Sequence, residues 1–375
     1  MLAFSLIRTK KDESGLPCAK KYRHKQPINF ESHTYTKNKQ YMQISVVIPT
    51  YNRKSRLLAL LESLNRSSYP VFEIIIVDSG EENLTPADYG PFENLNIHYV
   101  KSEKSVCIQR NTGIKKAVAP WIFLCDDDIE VPADYLQKLM DHIAAHPETG
   151  AVSGLVLQLE KAKWTAQYPV YSARVLLWKF IFQLGIWGSL DSIHNNFLLK
   201  KIKAYYKQKG NHISKAGWPV VIDFSGDYFI TPIYGLGASL VKREWLMNAP
   251  YDEVLDTHGI GDNYGVAIDF PDAIHIINNA FVYHHRESEN RLQQPLQYFR
   301  RVLAIDYFRK TKKKLLHVRK FWLLWSLTAN LMTSIIARNP AMIKATFISL
   351  LKIFLNKNPY YIGCKAKEKI IEPTL

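Results

Sequence analysis

Ile44-Ser45-Val46-Val47-Ile48, closed by Pro49 and followed by Thr50-Tyr51-Asn52, is the stretch that decides the fold. A near-continuous apolar run of this length reads as a strand covered on both faces, the habit of strands in parallel sheets. A helix follows, with Leu57, Leu58, Leu61 and Leu64 on one face. The pattern then repeats along the chain. Ile74-Ile75-Ile76-Val77 ends at Asp78, Ile97-His98-Tyr99-Val100 follows, and a helix is expected near 109–117. Trp121-Ile122-Phe123-Leu124-Cys125 runs into Asp126-Asp127-Asp128, a helix is expected near 133–145, and Ala151-Val152-Ser153-Gly154 reads as a further strand. Apolar strands alternating with helices predict an α/β fold, with a doubly wound, mostly parallel sheet flanked by helices.

In such sheets, ligands bind beyond the carboxyl ends of the strands. Three strands end in Pro49-Thr50-Tyr51-Asn52, in Asp78-Ser79-Gly80 and in Asp126-Asp127-Asp128, so these polar residues converge on one edge. Three adjacent carboxylates repel one another and raise the cost of folding unless a cation is near. Mg²⁺ and Mn²⁺ take oxygen ligands, typically one or two carboxylates together with substrate phosphates. The triplet also reads as a solvated acidic turn capping the next helix. Its place opposite two other polar strand ends favours the cation.

A later acid, Asp262, lies in Gly259-Ile260-Gly261-Asp262-Asn263. It suits a general base, and it equally suits a helix N-cap in a glycine-rich turn. His284 and His285 follow the β-like run Phe281-Val282-Tyr283. Either could ligate a metal, or one could be core and the other solvated, and alternation does not choose between them.

Composition sets outer limits. The 375 residues are 47% hydrophobic and 22% charged, as in ordinary globular proteins, but the formal charge is +15. That excess favours polyanionic partners such as phosphorylated small molecules, nucleic acid or an anionic membrane face. The four cysteines are scattered, without CxxC spacing, which points to a reducing compartment rather than a disulfide framework. The first residues carry no signal-peptide pattern, so the expectation is a cytoplasmic protein, peripheral on the cytosolic face of a membrane.

Over residues 44–291 the chain resembles the family 2 glycosyltransferases of the GT-A fold. The resemblance rests on Val47 to Arg53, Ile76-Val77-Asp78-Ser79-Gly80, Arg110-Asn111-Thr112-Gly113-Ile114 and Phe123 to Asp128. It continues in Gly237 to Glu244, Tyr251-Asp252-Glu253 and Gly261-Asp262. It implies an inverting transferase that uses a nucleoside-diphosphate sugar (UDP-, dTDP- or GDP-linked) and Mn²⁺ or Mg²⁺. By resemblance Pro49, Thr50, Tyr51 and Asn52 would line the nucleotide-sugar site, with Asp78 on the base and Arg110 at the nucleotide. Asp126 and Asp127 would lie near ribose and diphosphate. Asp128 would bind the metal, helped by His284 or His285, and Asp262 would be the catalytic base. Where the family usually has Glu-Asp, this chain has Gly261-Asp262, which puts the neighbouring acceptor contacts in question.

The expected organisation is a basic, disordered arm over 1–42, a catalytic domain over 43–300, and a basic and apolar helical region over 301–375. Within the domain, 43–155 would be the nucleotide-sugar half and 156–300 the acceptor half, with an aromatic and basic insertion near 160–222. The C-terminal apolar segments, 321–337 and 341–355, are shorter than the ~20 residues a membrane span requires. Interfacial helices fit them best, with packing on the domain as the alternative. The acceptor would be a glycan or a lipid-linked saccharide.

Rival classes fit less well. A DxDx(T/V) phosphotransferase would need Thr or Val where Glu130 stands, and a dinucleotide-binding dehydrogenase would need a G-x-G-x-x-G after the first strand. A specific nucleic-acid binder would place its polyanion against converging acids. A catalytically degenerate relative remains open through Gly261.

Overall fold

A computed structural model describes residues 41–375 except 83, 93, 161, 169, 171, 194, 195 and 286–291, and the expected basic arm falls almost wholly outside them. In chain order the first half of the described chain gives β1 (Ile44–Thr50), α1 (Lys54–Asn65), β2 (Glu73–Asp78), α2 (Pro86–Tyr89), β3 (Ile97–Lys101), α3 (Val106–Lys116), β4 (Trp121–Cys125), β5 (Ile129–Glu130) and α4 (Tyr135–Ala145). Then come β6 (Ala151–Glu160), β7 (Lys163–Thr165), α5 (Ala173–Ile181), β8 (Ile186–Trp187), α6 (Phe197–Lys209), β9 (His212–Ile213), β10 (Pro219–Val221), β11 (Tyr228–Thr231) and β12 (Ala238–Lys242). The chain closes with α7 (Arg243–Asn248), α8 (Asp262–Ala267), β13 (Ile274–His284), α9 (Gln294–Thr311), α10 (Lys320–Ile336), α11 (Pro340–Phe354) and α12 (Pro359–Lys365).

The main sheet runs β11-β13-β6-β12-β4-β1-β2-β3, with β5 and β7 added at its side. Pairings β4-β1, β1-β2, β2-β3 and β13-β6 are parallel. β12 is antiparallel to both β4 and β6, a direction that a buried apolar run does not reveal. The two-residue side-chain period of β1 divides the core. Val47 joins the layer of Ile75, Val77 and Leu124, whereas Val46 and Ile48 join that of Ile74, Ile76 and Phe123. Helix α1 closes the second layer through Leu57, Leu60, Leu61 and Leu64, each at most 2% exposed, while Leu58 is half-buried. Burying each such side chain stabilises the fold by about 1.5–3 kcal/mol.

The expected insertion folds on its own small core. β8, β10 and β9 form a separate three-stranded sheet, packed with Leu176 of α5 and with Leu199, Ile202 and Tyr206 of α6. Helices α9 to α11 pack together, and Phe299, Leu303, Phe308, Leu323 and Leu327 belong to the same core cluster as the sheet residue Val47. Among the described residues no helix is long and apolar enough to cross a membrane.

Candidate active site

The order β3-β2-β1-β4 places the turning point of the winding at β1 and β4, where a crevice opens at the strand ends. Gln109 of α3 helps define it. Its Nε2 donates to Thr50 O and Val77 O, both at 2.7 Å, fixing the ends of β1 and β2. A cavity of about 820 Å³ lies beyond, lined by Pro49, Thr50, Tyr51, Arg110, the Asp126–Asp128 triplet, Asp262 and His284. A smaller one of about 270 Å³ shares Thr50 and Arg53 with it and adds Asn52, Asp78 and Leu84.

Asp78 is 3% exposed and multiply bonded. Oδ1 accepts the Gly80 N–H at 2.7 Å, and Oδ2 accepts the Tyr99 hydroxyl at 2.7 Å and Lys101 Nζ at 3.4 Å. Asn52, at a φ of 51°, accepts the Glu81 N–H on its Oδ1 at 2.9 Å. The loop after β2 is thereby tied to the end of β1. Tyr51 lies in the larger cavity beneath Lys104, whose Nζ is 3.9 Å from the ring centroid.

The acidic triplet divides its partners. Asp126 Oδ1 takes Arg110 Nη2 at 2.5 Å. Asp127 takes the Thr50 hydroxyl at 2.8 Å and Arg53 Nη1 at 2.9 Å, and the same nitrogen lies 3.4 Å from Asp128 Oδ2. Burial, against the pull of Arg53 and with the push of Asp128, raises the Asp127 carboxyl to about 6. Arg53 was not among the residues singled out from the sequence, although it ends the first motif. An arginine after a strand end is as readily solvated as paired, and its partners lie some seventy positions away.

The two histidines part company. His284 Nε2 faces Asp128 Oδ1 at 3.2 Å in the cavity, whereas His285 Nε2 faces Glu130 Oε2 at 3.0 Å. Antiparallel pairing of β13 with β5 puts Tyr283 opposite Glu130, so His285 shares the face of Glu130, while His284 lies on the other face and meets Asp128 in the turn before β5. Among the described residues no group of three or more His, Cys, Asp or Glu converges as a metal cage. One carboxylate and one imidazole, facing each other over an open cavity, still suit a Mg²⁺ or Mn²⁺ ion that takes its other ligands from phosphates and water.

Asp262 begins α8 and is 8% exposed. Arg110 Nη1 bonds its Oδ2, so one buried guanidinium bridges Asp126 and Asp262. Arg110 was expected at the nucleotide, and its neighbours here are these two acids, Asn263 and the Tyr251 ring. Burial raises the Asp262 carboxyl to about 6, with Arg110 and the Asn263 N–H holding it down and Asp126 pushing it up. The loop before it is braced from the C-terminus. Arg300 pairs with Asp256 at 3.1 Å and with Glu372 at 2.6 Å, Tyr360 donates to Asp256 at 2.7 Å, and Glu372 accepts the Thr257 N–H at 2.8 Å.

Gly261 has a physical reason. Its φ is +98°, and a Cβ there would stand 3.0 Å from the Ala304 Cβ of α9. The departure from Glu-Asp thus goes with a left-handed turn pressed against α9, and Asp262 keeps its place in the cavity. Gly261→Ala is expected to cost about 1–3 kcal/mol of stability, read from urea midpoints at constant slope. An unchanged midpoint would show that the turn accepts a side chain.

The far wall of the cavity is aromatic, with Tyr168, Trp187, Trp218 and Tyr234. Trp187 stacks on Tyr234 at 5.7 Å between centroids. Flat apolar faces of this kind suit the faces of a pyranose.

Comparison with known proteins gives the following. Residues 45–212 match the family described as "Glycosyl transferase family 2". An uncharacterized glycosyltransferase of Bacillus subtilis, YwdF, is 38% identical over 104 residues, 27% of this chain and 38% of that protein. A PGL/p-HBAD biosynthesis glycosyltransferase of Mycobacterium bovis is 27% identical over 157 residues, 39% of this chain and 61% of that protein. The chain thus spans less than two thirds of either relative. S. aureus TarS 1–349, solved in complex with UDP-GlcNAc, shares the fold at a TM-score of 0.50 and 13% identity, over 87% of this chain and 93% of that one.

Proposed function

We propose, from the match of residues 45–212 to glycosyl transferase family 2, that the protein is an inverting glycosyltransferase acting on a nucleoside-diphosphate sugar. The observation that carries this reading is the shared cavity. Strand-end groups suited to a nucleotide and a buried carboxylate suited to a base line the same 820 Å³.

In this reading the nucleoside enters by the smaller cavity, where Asp78 is held by Tyr99 and Lys101 to face the base. Thr50 and Arg53 order Asp127 at the passage into the larger cavity, where the diphosphate would lie. A divalent ion held by Asp128 and His284 would neutralise charge on the diphosphate. The sugar then projects towards Asp262 and the aromatic wall. Asp262 takes the proton of an acceptor hydroxyl as its oxygen bonds to the anomeric carbon. The bond to the diphosphate breaks on the opposite side, its electron pair leaves with the nucleoside diphosphate, and the configuration inverts. Arg110 fixes the base in position beforehand and limits the rise of its pKa.

Calorimetry with a panel of UDP, dTDP and GDP and their sugars, in Mn²⁺ and then in EDTA, tests the donor site. UDP sugars head the panel because TarS, alike in fold, holds UDP-GlcNAc. One nucleotide is expected to bind, and both EDTA and Asp128→Asn are expected to weaken it about 10–100-fold, as losses around a metal site usually do. Folded protein that binds no nucleotide, with or without metal, would remove the assignment.

A further inference from the structure

Residues 307–367 contain no Asp or Glu in 61 positions and hold 13 Lys or Arg. Of these, Arg309, Lys310 and Lys312 are taken up by Asp306, Asp252 and Asp269, and Lys320, Arg338, Lys344 and Lys352 lie on the stretch 320–354. Over that stretch α10 and α11 form a hairpin, whose open end is closed where Lys320 Nζ donates to Phe354 O at 2.8 Å and to Asn356 Oδ1 at 3.0 Å. Each helix buries one face, through Leu323 and Leu327 of α10 and Ala345 and Ile353 of α11. The remaining faces carry large apolar side chains in solvent. Phe321, Ile335 and Ile336 are 64%, 54% and 78% exposed, and Phe347 and Phe354 are 54% and 58% exposed. Helix α5 extends the patch. Trp325 stacks on Phe182 with centroids 4.7 Å apart, and its Nε1 donates to the carbonyl of Ile181, itself exposed.

An apolar surface of this kind marks an interaction site, and its charge selects the partner. A second copy meeting this face would bring cation against cation. A soluble polyanion would match the charge and leave the apolar rows in water. An anionic bilayer answers both, since apolar rows enter the headgroup boundary while lysines and arginines meet lipid phosphates. At 17 residues α10 can lie in that boundary but is short for a crossing.

We propose that the α5, α10 and α11 surface docks the protein peripherally on an anionic lipid bilayer. This surface backs the aromatic wall of the cavity. Ser326 of α10 accepts the Trp218 Nε1–H at 2.9 Å, and α9, on which α11 packs, contributes Ala304, Ile305 and Phe308 to the lining. Docking therefore holds the cavity close to the lipid, and the acceptor class is a hydroxyl or saccharide carried on a lipid headgroup, a step that rests on the transferase reading above.

Flotation of the full chain with phosphatidylcholine vesicles, with and without phosphatidylglycerol, tests the docking. Binding to the phosphatidylglycerol vesicles is expected, falling with salt and weakening about fivefold for each lysine removed in Lys344→Gln and Lys352→Gln. Ile336→Ser/Phe347→Ser is expected to lose about tenfold or more, with its thermal midpoint and nucleotide binding unchanged. Equal binding to neutral vesicles, no flotation at all, or full flotation of the apolar double variant would each overturn the proposal. So would a salt-resistant dimer that this variant dissolves. Flotation needs no sugar nucleotide, so its outcome is independent of the donor-site calorimetry.

Discussion

Asp262→Asn is expected to lower kcat/KM by about 10²–10⁴-fold, the usual worth of a positioned general base, while the donor binds as before. Asparagine keeps the size of the side chain and can still meet Arg110, but it cannot take a proton from the acceptor. The loss should therefore appear in kcat, with little change in the affinity for nucleotide measured by calorimetry. The pH profile separates this from a structural effect. Burial raises the Asp262 carboxyl from 3.8 to about 6, so the base is protonated, and idle, below that pH. Wild-type kcat/KM should then fall tenfold per pH unit below about 6, where an ordinary carboxylate would hold its plateau to about 4. The residual rate of Asp262→Asn should lack this limb. A variant retaining most of the wild-type kcat/KM would sink the base assignment.

The ends of the strands were legible because a buried strand has to stop where the chain reaches polar ground. Pro49-Thr50-Tyr51-Asn52, Asp78 and the Asp126–Asp128 triplet announce that edge in residue type alone. The alternation of apolar strands with helices gave a doubly wound, mostly parallel sheet flanked by helices, and the structure shows that α/β sheet with the antiparallel β12 set within it. What stayed hidden depends on which residues meet across the chain. His284 and His285 are indistinguishable by alternation until β13 pairs with β5, which gives His285 the face of Glu130 and leaves His284 to meet Asp128 in the turn before β5. The direction of β12 is equally invisible, since a strand buried on both faces has the same composition in either sense. Arg53 and Arg110 have local sequence signals, but their partners lie up to 152 positions away, and periodicity carries no information at that range. The brace at Asp256 from Arg300, Tyr360 and Glu372 is of the same kind, four polar residues scattered over the last third of the chain.

Arg110 is where these long-range links concentrate, and its removal should have the largest effect on stability. It is 5% exposed, and Asp262 and Asp126 both pair with it. Arg110→Met keeps much of the aliphatic stem but leaves Asp262 buried without a cation, a loss expected to cost about 3–5 kcal/mol at neutral pH. The sign of the pH effect identifies the cause. Asp262 already has a folded pKa raised above its unfolded value, so its contribution to stability is present below about 4 and is lost as the pH rises through about 6. Without Arg110 the folded value rises further, because the burial that raises it is no longer opposed. Between that higher value and about 6 the variant gains a proton that the wild type does not. The difference in stability should therefore shrink as the pH is lowered through about 6, below which both proteins hold a neutral Asp262. A purely steric loss would give the same difference at every pH. Arg110→Met/Asp262→Asn completes the cycle. If the unpaired carboxylate is the cause, the double variant should be more stable at neutral pH than Arg110→Met alone, and denaturant midpoints at pH 7.5 and 5.5 measure it. Additive losses at both pH values would show that Arg110 acts through packing, and would leave the ionisation of Asp262 to its burial alone.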